Sequence, residues 1–429
     1  MKFELQETIG KYPVSKEIGS GATSRVYLAR DPFADRDVAI KVFLFAQDSD
    51  PHTERMMHKA FVTEASLAGK LNHPHIVDIF DAVVEPDYSY LVMEYVPGVT
   101  LEAHSDVDTL LPLGKVVEII FKCVRALEYA FQHGVIHRDI KPGNIMLSHT
   151  GETKVGDFGA SFQQRHGHET TQISGVGSPA YMSPEQIRME TLTQQTDIYS
   201  LGVTMYRLLT GRLPYNASTH AGLTYAILNT PPPHISKLRP DLPELLSGIV
   251  MKAIAKDLAD RYPSWLELGK DLSQAFTTLR LAGESVSDSE KFNKLRDMPF
   301  FQDFGDVALW EAIRIGSWVS FDDETVVIKE GDQGESVYVL VEGEVGVTLM
   351  GRALTTITPG HCFGEVLYFA GAGGRRTTTI MAMEKITVLD IKSDALRAAT
   401  DGCQVAFNKA FMRVLIERLS QANLKLAKR

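Results

Sequence analysis

The run His137-Arg138-Asp139-Ile140-Lys141-Pro142-Gly143-Asn144 sets an acid, a base and an amide at fixed offsets. Asp139 can accept the proton of a hydroxyl, Lys141 can neutralise a phosphoryl group as it moves, and Asn144 can hold a metal through its carbonyl oxygen. Working outward, Asp157-Phe158-Gly159 follows the run. A glycine-rich stretch, Ile18-Gly19-Ser20-Gly21-Ala22-Thr23-Ser24-Arg25-Val26-Tyr27, and an apolar strand, Val38-Ala39-Ile40-Lys41, precede it. Gly19 and Gly21 lack Cβ atoms, so backbone N–H groups there can approach phosphates closely; an ordinary hairpin turn would read the same way in isolation.

In this order the motifs resemble a eukaryotic-like Ser/Thr protein kinase, over residues 12–275. The resemblance implies a bilobal fold, ATP and Mg²⁺ as cofactors, and protein Ser/Thr hydroxyls as acceptors. Asp139 would take the acceptor's proton and Lys141, the Ser/Thr-kinase form, would steady the transferring group. Asn144 and Asp157 would hold Mg²⁺. Ile18, Gly19 and Gly21 would cover the phosphates and Lys41 would hold them, fixed by Glu64 from an amphipathic helix over Phe61–Leu67. Ser24 stands where the family usually has a third glycine, which can reshape the phosphate cover. Tyr90–Val96 would be the hinge, with Met93 as gatekeeper and the backbone of Glu94 and Val96 at the adenine edge; Val26, Ala39 and Met146 would enclose the ring. Glu64 could equally be a solvated helix charge, and the hinge residues could serve as core at the same time. His137 and Phe158 would stack in an apolar spine, Glu185 would pair with Arg261, and Asp197 would either anchor the catalytic loop or cap a helix. Arg138 beside Asp139 makes Thr170, Thr171 and Ser174 candidate phosphorylation sites. Details such as Ser178-Pro179-Ala180-Tyr181-Met182-Ser183-Pro184-Glu185-Gln186 resemble bacterial members.

Leu113 to Gln132 has the spacing of a helix. The small, polar stretch 281–290 predicts a linker between a first domain, 1–280, and a second, 291–429. Past it, Phe292 to Phe304 looks helical. Alternating apolar and polar residues with glycines at turns then predict a β-roll, and the overall class α+β. Val337-Tyr338-Val339-Leu340-Val341-Glu342-Gly343-Glu344-Val345, then Phe363-Gly364-Glu365 and Arg375-Arg376-Thr377, resemble a cyclic-nucleotide-binding domain (about 295–400). That resemblance implies cAMP or cGMP as effector, with Glu365 on the ribose 2′-hydroxyl, Arg376 on the cyclic phosphate, and backbone N–H groups near Gly364 and Thr377 completing the site. A hydroxyl at Thr377 leans towards cGMP. The segment before Arg376 is two residues longer than the commonest spacing, so Arg375 could substitute. A terminal stripe, Phe407, Phe411, Val414, Leu415 and Leu419, could close over a bound base, pack on the roll or form a dimer.

The net charge of −10 argues against a nucleic-acid partner. No apolar run approaches the roughly 20 residues of a membrane span, and the first residues lack a signal-peptide core. Cys123, Cys362 and Cys403 have no metal-ligand spacing and suit buried free thiols in a reducing compartment, so a cytoplasmic setting is expected. Two rival readings stand beside this one: a kinase fold that only binds partners, and an active kinase whose roll is a ligand-free interaction module.

Overall fold

The computed structural model describes residues 8–20, 24–44, 61–62, 65–66, 68–85, 88–158, 179–279, 288–370 and 375–427. The chain forms two compact units, Met1–Glu284 and Ser285–Arg429. Residues 280–287 lie outside the described residues, and helical structure already begins at Asp288, inside the stretch expected to be linker.

The first unit opens with strands β1 (Thr8–Ile9), β2 (Tyr12–Ser20), β3 (Ser24–Asp31), β4 (Arg36–Leu44), β5 (Ile79–Val84) and β6 (Tyr88–Glu94). They form one antiparallel six-stranded sheet in the order β1-β2-β3-β4-β6-β5. The two-residue period of β4 sends Val38, Ile40 and Val42 into a core with Tyr12, Tyr27, Tyr90 and Val92. The same period turns Ala39 and Lys41 to the opposite face. Across the sheet Val26 lies opposite Lys41, and Ala39 opposite Met93.

Helix α1 (Leu113–Gln132) matches the stretch of helical spacing and is buried through its centre, from Val116 to Leu127 apart from Glu118. Two cations are buried within it, and each has a carboxylate one turn away: Lys122 with Glu118, and Arg125 with Glu128, both at 2.8 Å. A small sheet pairs β7 (Gly98–Thr100), which precedes α1, with β8 (Ile145–Ser148) and β9 (Thr153–Val155), which follow it, and then come helices α2 (Pro184–Ile187), α3 (Gln194–Thr210), α4 (His220–Asn229), α5 (Glu244–Ala253) and α6 (Trp265–Leu279). Thr193 and Thr196 form a reciprocal box at the start of α3, and Gly211, at φ 69°, ends it. The cap of α3 is therefore Thr193 and not Asp197, which leaves the Asp197 carboxylate for another task.

The second unit begins with α7 (Asp288–Arg296), a turn at Pro299–Phe301, and α8 (Asp306–Ile315). The segment 292–304 is thus one helix end and a tight turn, broken where Pro299 cannot continue the ladder. Strands β10 (Gly316–Phe321), β11 (Val326–Ile328), β12 (Ser336–Glu342), β13 (Val345–Leu349), β14 (Arg352–Ile357), β15 (Cys362–Phe363), β16 (Thr379–Ala382) and β17 (Ile386–Lys392) build two four-stranded antiparallel sheets, β10-β17-β12-β15 and β11-β16-β13-β14. Their inner faces share a core that includes Ile328, Leu340, Val345, Phe363, Ile380 and Val388. Helix α9 (Val366–Ala370) lies between β15 and β16, and α10 (Ser393–Arg397) and α11 (Asp401–Ala427) close the chain. Both units are α+β, as expected.

The terminal apolar stripe splits in two. Phe407, Phe411 and Val414 are buried, whereas Leu415 and Leu419 are exposed. Phe407 and Phe411 lie on the side of the helix that meets Phe300, Phe301 and Phe304; at about 100° per residue Leu419 is turned roughly 80–140° away from the buried three. Cys123, Cys362 and Cys403 are buried free thiols, each pushed above the usual thiol range by burial. Among the described residues, no helix is long and apolar enough to cross a membrane.

Candidate functional site

The loop quoted first is pinned from below. The Asp197 carboxylate accepts from the backbone N–H groups of His137 and Arg138, both at 2.7 Å. Burial pushes this carboxyl above its usual range, against the opposing pull of His137 and the two donors. Arg138 has φ 69°, a conformation few side chains adopt unforced. Gln186 holds its carbonyl at 2.8 Å, a contact that nothing in the sequence pattern announced. The imidazole Nε2 of His137 is 2.9 Å from the Gly156 carbonyl, and its ring lies 4.5 Å from that of Phe158. Positions 137 and 158 thereby join the two loop segments.

On this base three functional groups converge. Lys141 Nζ lies 2.6 Å from Asp139 Oδ2, and Asn144 donates its amide N–H to the same oxygen at 3.0 Å and to the Asp139 carbonyl at 2.7 Å. With its nitrogen engaged there, the Asn144 amide has its oxygen left for a metal. Asp157 also has positive φ, 61°, and its Oδ1 lies 2.5 Å from Lys41 Nζ. Burial opposes ionisation of Asp157, but the charge and hydrogen bond of Lys41 outweigh it and hold the carboxyl below its usual range. Glu64, the expected partner of Lys41, lies outside the described residues, as do Gly21, Thr170, Thr171 and Ser174.

Along the sheet edge, Val26, Met93, Val96 and Met146 are half-buried and Ala39 is buried, while Ile18 is exposed. Glu94 accepts from Lys154 at 2.8 Å and from the Asp78 N–H at 3.3 Å. Its side chain therefore braces the hinge, and its backbone N–H donates to the Asp78 carbonyl at 2.8 Å. Among the described residues no group of three or more His, Cys, Asp or Glu is assembled to hold a metal. An amide oxygen plus one carboxylate fit Mg²⁺, which takes few protein ligands and completes its octahedron with phosphates and water. Below the loop, Arg261 and Glu185 form a buried pair at 2.8 Å, and Arg261 also donates to the carbonyls of Gln195, Ala255 and Lys256.

The second unit contains a cavity of about 440 Å³ lined by Gly364, Glu365, Arg376 and Thr377 together with residues of β14 and α11. Arg376 is 7% exposed and donates to the carbonyls of Gly364 (3.2 Å) and Ser336 (2.9 Å). It makes no ion pair with a carboxylate among the described residues, and burial lowers its affinity for its proton. A buried guanidinium held only by carbonyls is suited to an anion. Gly364, at φ 81°, is required here: a Cβ would lie 2.6 Å from Arg376 Nη1. Arg375 is exposed and donates to the Gly331 carbonyl, so of the two neighbours Arg376 is the one set into the roll. Glu365 is 2% exposed and is held by Arg418 of α11 at 2.5 Å. Arg418 went unnoticed in the sequence, although it continues the buried register Phe407, Phe411, Val414.

The geometry sets a carboxylate, a lysine and an amide together on one loop of the first unit and a buried guanidinium at a cavity of the roll in the second. Residues 12–264 match the protein kinase domain and residues 318–402 the cyclic nucleotide-binding domain. The chain belongs to the protein kinase family and carries a cyclic-nucleotide-binding domain after the kinase domain. Similar proteins include the serine/threonine-protein kinase PrkC of Bacillus subtilis (strain 168), 35% identical over 68% of this chain and 45% of PrkC. The serine/threonine-protein kinase PknB of Mycolicibacterium smegmatis is 37% identical over 62% of this chain and 43% of its own length. The chain spans less than half the length of these relatives.

Proposed function

We propose that the protein transfers the γ-phosphate of ATP to Ser/Thr hydroxyls of protein substrates and that a cyclic nucleotide in the roll regulates this activity. The observation that carries the first part is the Asp139 carboxylate, oriented by Lys141 and Asn144 on a loop whose backbone is fixed by Asp197. Phosphoryl transfer needs little covalent help and depends on positioning and charge neutralisation. Asp139 orients the acceptor hydroxyl and takes its proton. Lys141, beside it, screens charge on the moving group. Lys41 binds the α/β-phosphates, and Gly19 with Gly21 brings backbone N–H groups to them. Val26, Ala39, Met93 and Met146 surround the adenine, while the backbone of Glu94 and Val96 reads its edge. Asn144 and Asp157 would hold Mg²⁺, which would supply charge neutralisation for the phosphates. The buried thiols support a reducing, cytoplasmic setting.

In the roll, Arg376 supports recognition of a cyclic phosphate and Glu365 that of a ribose hydroxyl, and Thr377 on the cavity wall favours cGMP over cAMP. Arg376→Ala is expected to weaken binding of the preferred nucleotide about 100-fold, the worth of a charge-assisted, forked contact. Calorimetry on the full chain with cAMP and cGMP measures this, and absence of heat with the unmodified protein would favour the ligand-free roll. The test of the whole reading is phosphate transfer from ATP–Mg²⁺ to a generic Ser/Thr substrate with no nucleotide, cAMP or cGMP. A rate that changes with one nucleotide is expected; a rate indifferent to both removes the regulatory half.

Arg138 next to the catalytic acid offers a cation to a phosphorylated activation segment. Incubation with ATP–Mg²⁺ is expected to place phosphate on at least one of Thr170, Thr171 and Ser174, with Thr171 first, as read by peptide mass spectrometry. An unmodified segment after prolonged incubation would exclude this route of activation.

A further inference from the structure

Arg375-Arg376-Thr377-Thr378-Thr379 sets three hydroxyls directly after two cations. The three differ in what holds them. Thr379 lies in β16, and its hydroxyl accepts the Glu330 N–H at 3.0 Å. Thr378 is half-buried. Thr377 is exposed, lies outside every strand and makes no hydrogen bond among the described residues. It therefore presents an uncommitted hydroxyl to a modifying enzyme, as loop segments do. Thr377 also lines the cavity of the roll, whose charged side chains Arg375, Arg376, Arg418, Glu365 and Glu417 sum to +1 with His361 neutral. Arg376, the buried cation of this wall, is held by carbonyls alone among the described residues. A phosphate on Thr377 brings roughly −2 charges and three acceptor oxygens to the same wall.

We propose that Thr377 is a phosphorylation site for the protein's own transferase activity, and that a phosphate there excludes a cyclic nucleotide from the cavity. The inference rests on the phosphate-transfer and cyclic-nucleotide readings above and goes beyond both. In the transfer, Thr377 Oγ forms a bond to the γ-phosphorus as the bond from that phosphorus to the β–γ bridging oxygen breaks. ADP leaves with the bonding pair, and the hydroxyl proton passes to Asp139. The product turns the charge balance of the cavity from +1 to about −1. A tethered phosphate also competes for Arg376 at an effective concentration that a free ligand does not reach. Exclusion is reciprocal by linkage, so a bound nucleotide protects the hydroxyl from transfer. Phosphate on Thr377 and nucleotide in the roll are then alternative states of one cavity.

The experiment incubates the full chain with ATP–Mg²⁺ and a generic Ser/Thr substrate, with and without cAMP or cGMP, and reads phosphate at Thr377 by peptide mass spectrometry. After removal of ATP, calorimetry measures affinity for both nucleotides. The unmodified protein, Asp139→Asn, Thr377→Val and Thr377→Ser are compared, each before and after ATP. Phosphate is expected on Thr377 of the unmodified protein and absent from Asp139→Asn. Relative to labelling of the generic substrate it falls about 10-fold with nucleotide at ten times its Kd, which leaves about a tenth of the sites open. ATP treatment is expected to weaken nucleotide binding about 100-fold, the worth of a forked, charge-assisted contact, and phosphatase to restore it. Thr377→Val shows the same affinity before and after ATP, which assigns the loss to this hydroxyl and not to the activation segment; Thr377→Ser, which keeps the hydroxyl, responds to ATP. Phosphate on the generic substrate but none on Thr377 overturns the proposal, and so does phosphorylated Thr377 with unchanged affinity. No transfer to the generic substrate refutes the phosphate-transfer reading, and no heat with either nucleotide before ATP refutes the cyclic-nucleotide reading; either also ends the proposal, and each control shows its own failure.

Discussion

Asp139→Ala is expected to lower phosphate transfer by about 10²- to 10⁴-fold, the usual worth of a positioned general base, with ATP affinity nearly unchanged. Asp139 pairs with Lys141, while Lys41 pairs with Asp157, so in the proposed reading the nucleotide's contacts do not depend on Asp139. The substitution removes the group that orients the acceptor and leaves the nucleotide's own contacts in place. It also frees Lys141 and the Asn144 amide from their shared oxygen. Asp139→Asn is the sharper control, because it retains a hydrogen-bonding side chain of the same shape and loses the charge and basicity. Initial rates with a generic Ser/Thr substrate, alongside titration of ATP–Mg²⁺ by calorimetry, separate the two effects. Transfer that persists in both variants would remove Asp139 from the chemistry. Absence of transfer in the unmodified protein, with ATP still bound, would favour a kinase fold that serves as a scaffold.

Arg261→Ala is expected to destabilise the first unit by about 3–5 kcal/mol, the cost of leaving a buried charge without its partner. Arg261 and Glu185 are respectively 1% and 3% exposed, so water cannot replace the lost guanidinium. Three carbonyls, of Gln195, Ala255 and Lys256, lose a donor at the same time. The pair joins the start of α2 to the segment before α6, elements 76 residues apart in the chain. The double variant Glu185→Leu/Arg261→Met, which replaces both charges by apolar groups, is expected to recover a large part of the loss. Denaturant unfolding of the three proteins measures this, and an Arg261→Ala effect below about 1 kcal/mol would assign the pair a peripheral role.

The same pair gives a signed pH dependence. Burial opposes ionisation of Glu185, but the hydrogen bond and charge of Arg261 prevail and hold its carboxyl below the usual range. A group whose folded pKa is depressed stabilises the fold fully above its unfolded value, about 4.3 for glutamate. That contribution is lost as the pH falls through the depressed folded value. The difference between the unmodified protein and Arg261→Ala should therefore be constant near neutrality and shrink in acid.

Much of the catalytic site was legible because its parts are contiguous. Asp139, Lys141 and Asn144 lie within six residues, so the backbone itself fixes their offsets, and the hydrogen bonds among them follow locally. The strands were legible from their two-residue period, which also decided that Ala39 and Lys41 share a face. The linker was less legible, since a polar stretch can equally start a helix, and α7 begins inside it at Asp288. The terminal stripe misled for a related reason. Apolar spacing shows which residues could be buried, but Leu415 and Leu419 remain exposed because the aromatic cluster of Phe300, Phe304, Phe407 and Phe411 selects one side of α11.

By itself the sequence determined the two domain classes and their order, and the elements whose periodicity is plain, such as the helix Leu113–Gln132. These depend on short-range offsets and on periodicity, which are properties of the chain read locally. Only the tertiary structure decided which charges meet: Lys41 with Asp157 across 116 residues, Asp197 with the backbone of His137 and Arg138, and Arg418 with Glu365 across 53. Each of these partners carries an ordinary charged side chain whose usual place is in solvent. At least one member of each pair is largely removed from water, and that is set by packing of elements far apart in the chain.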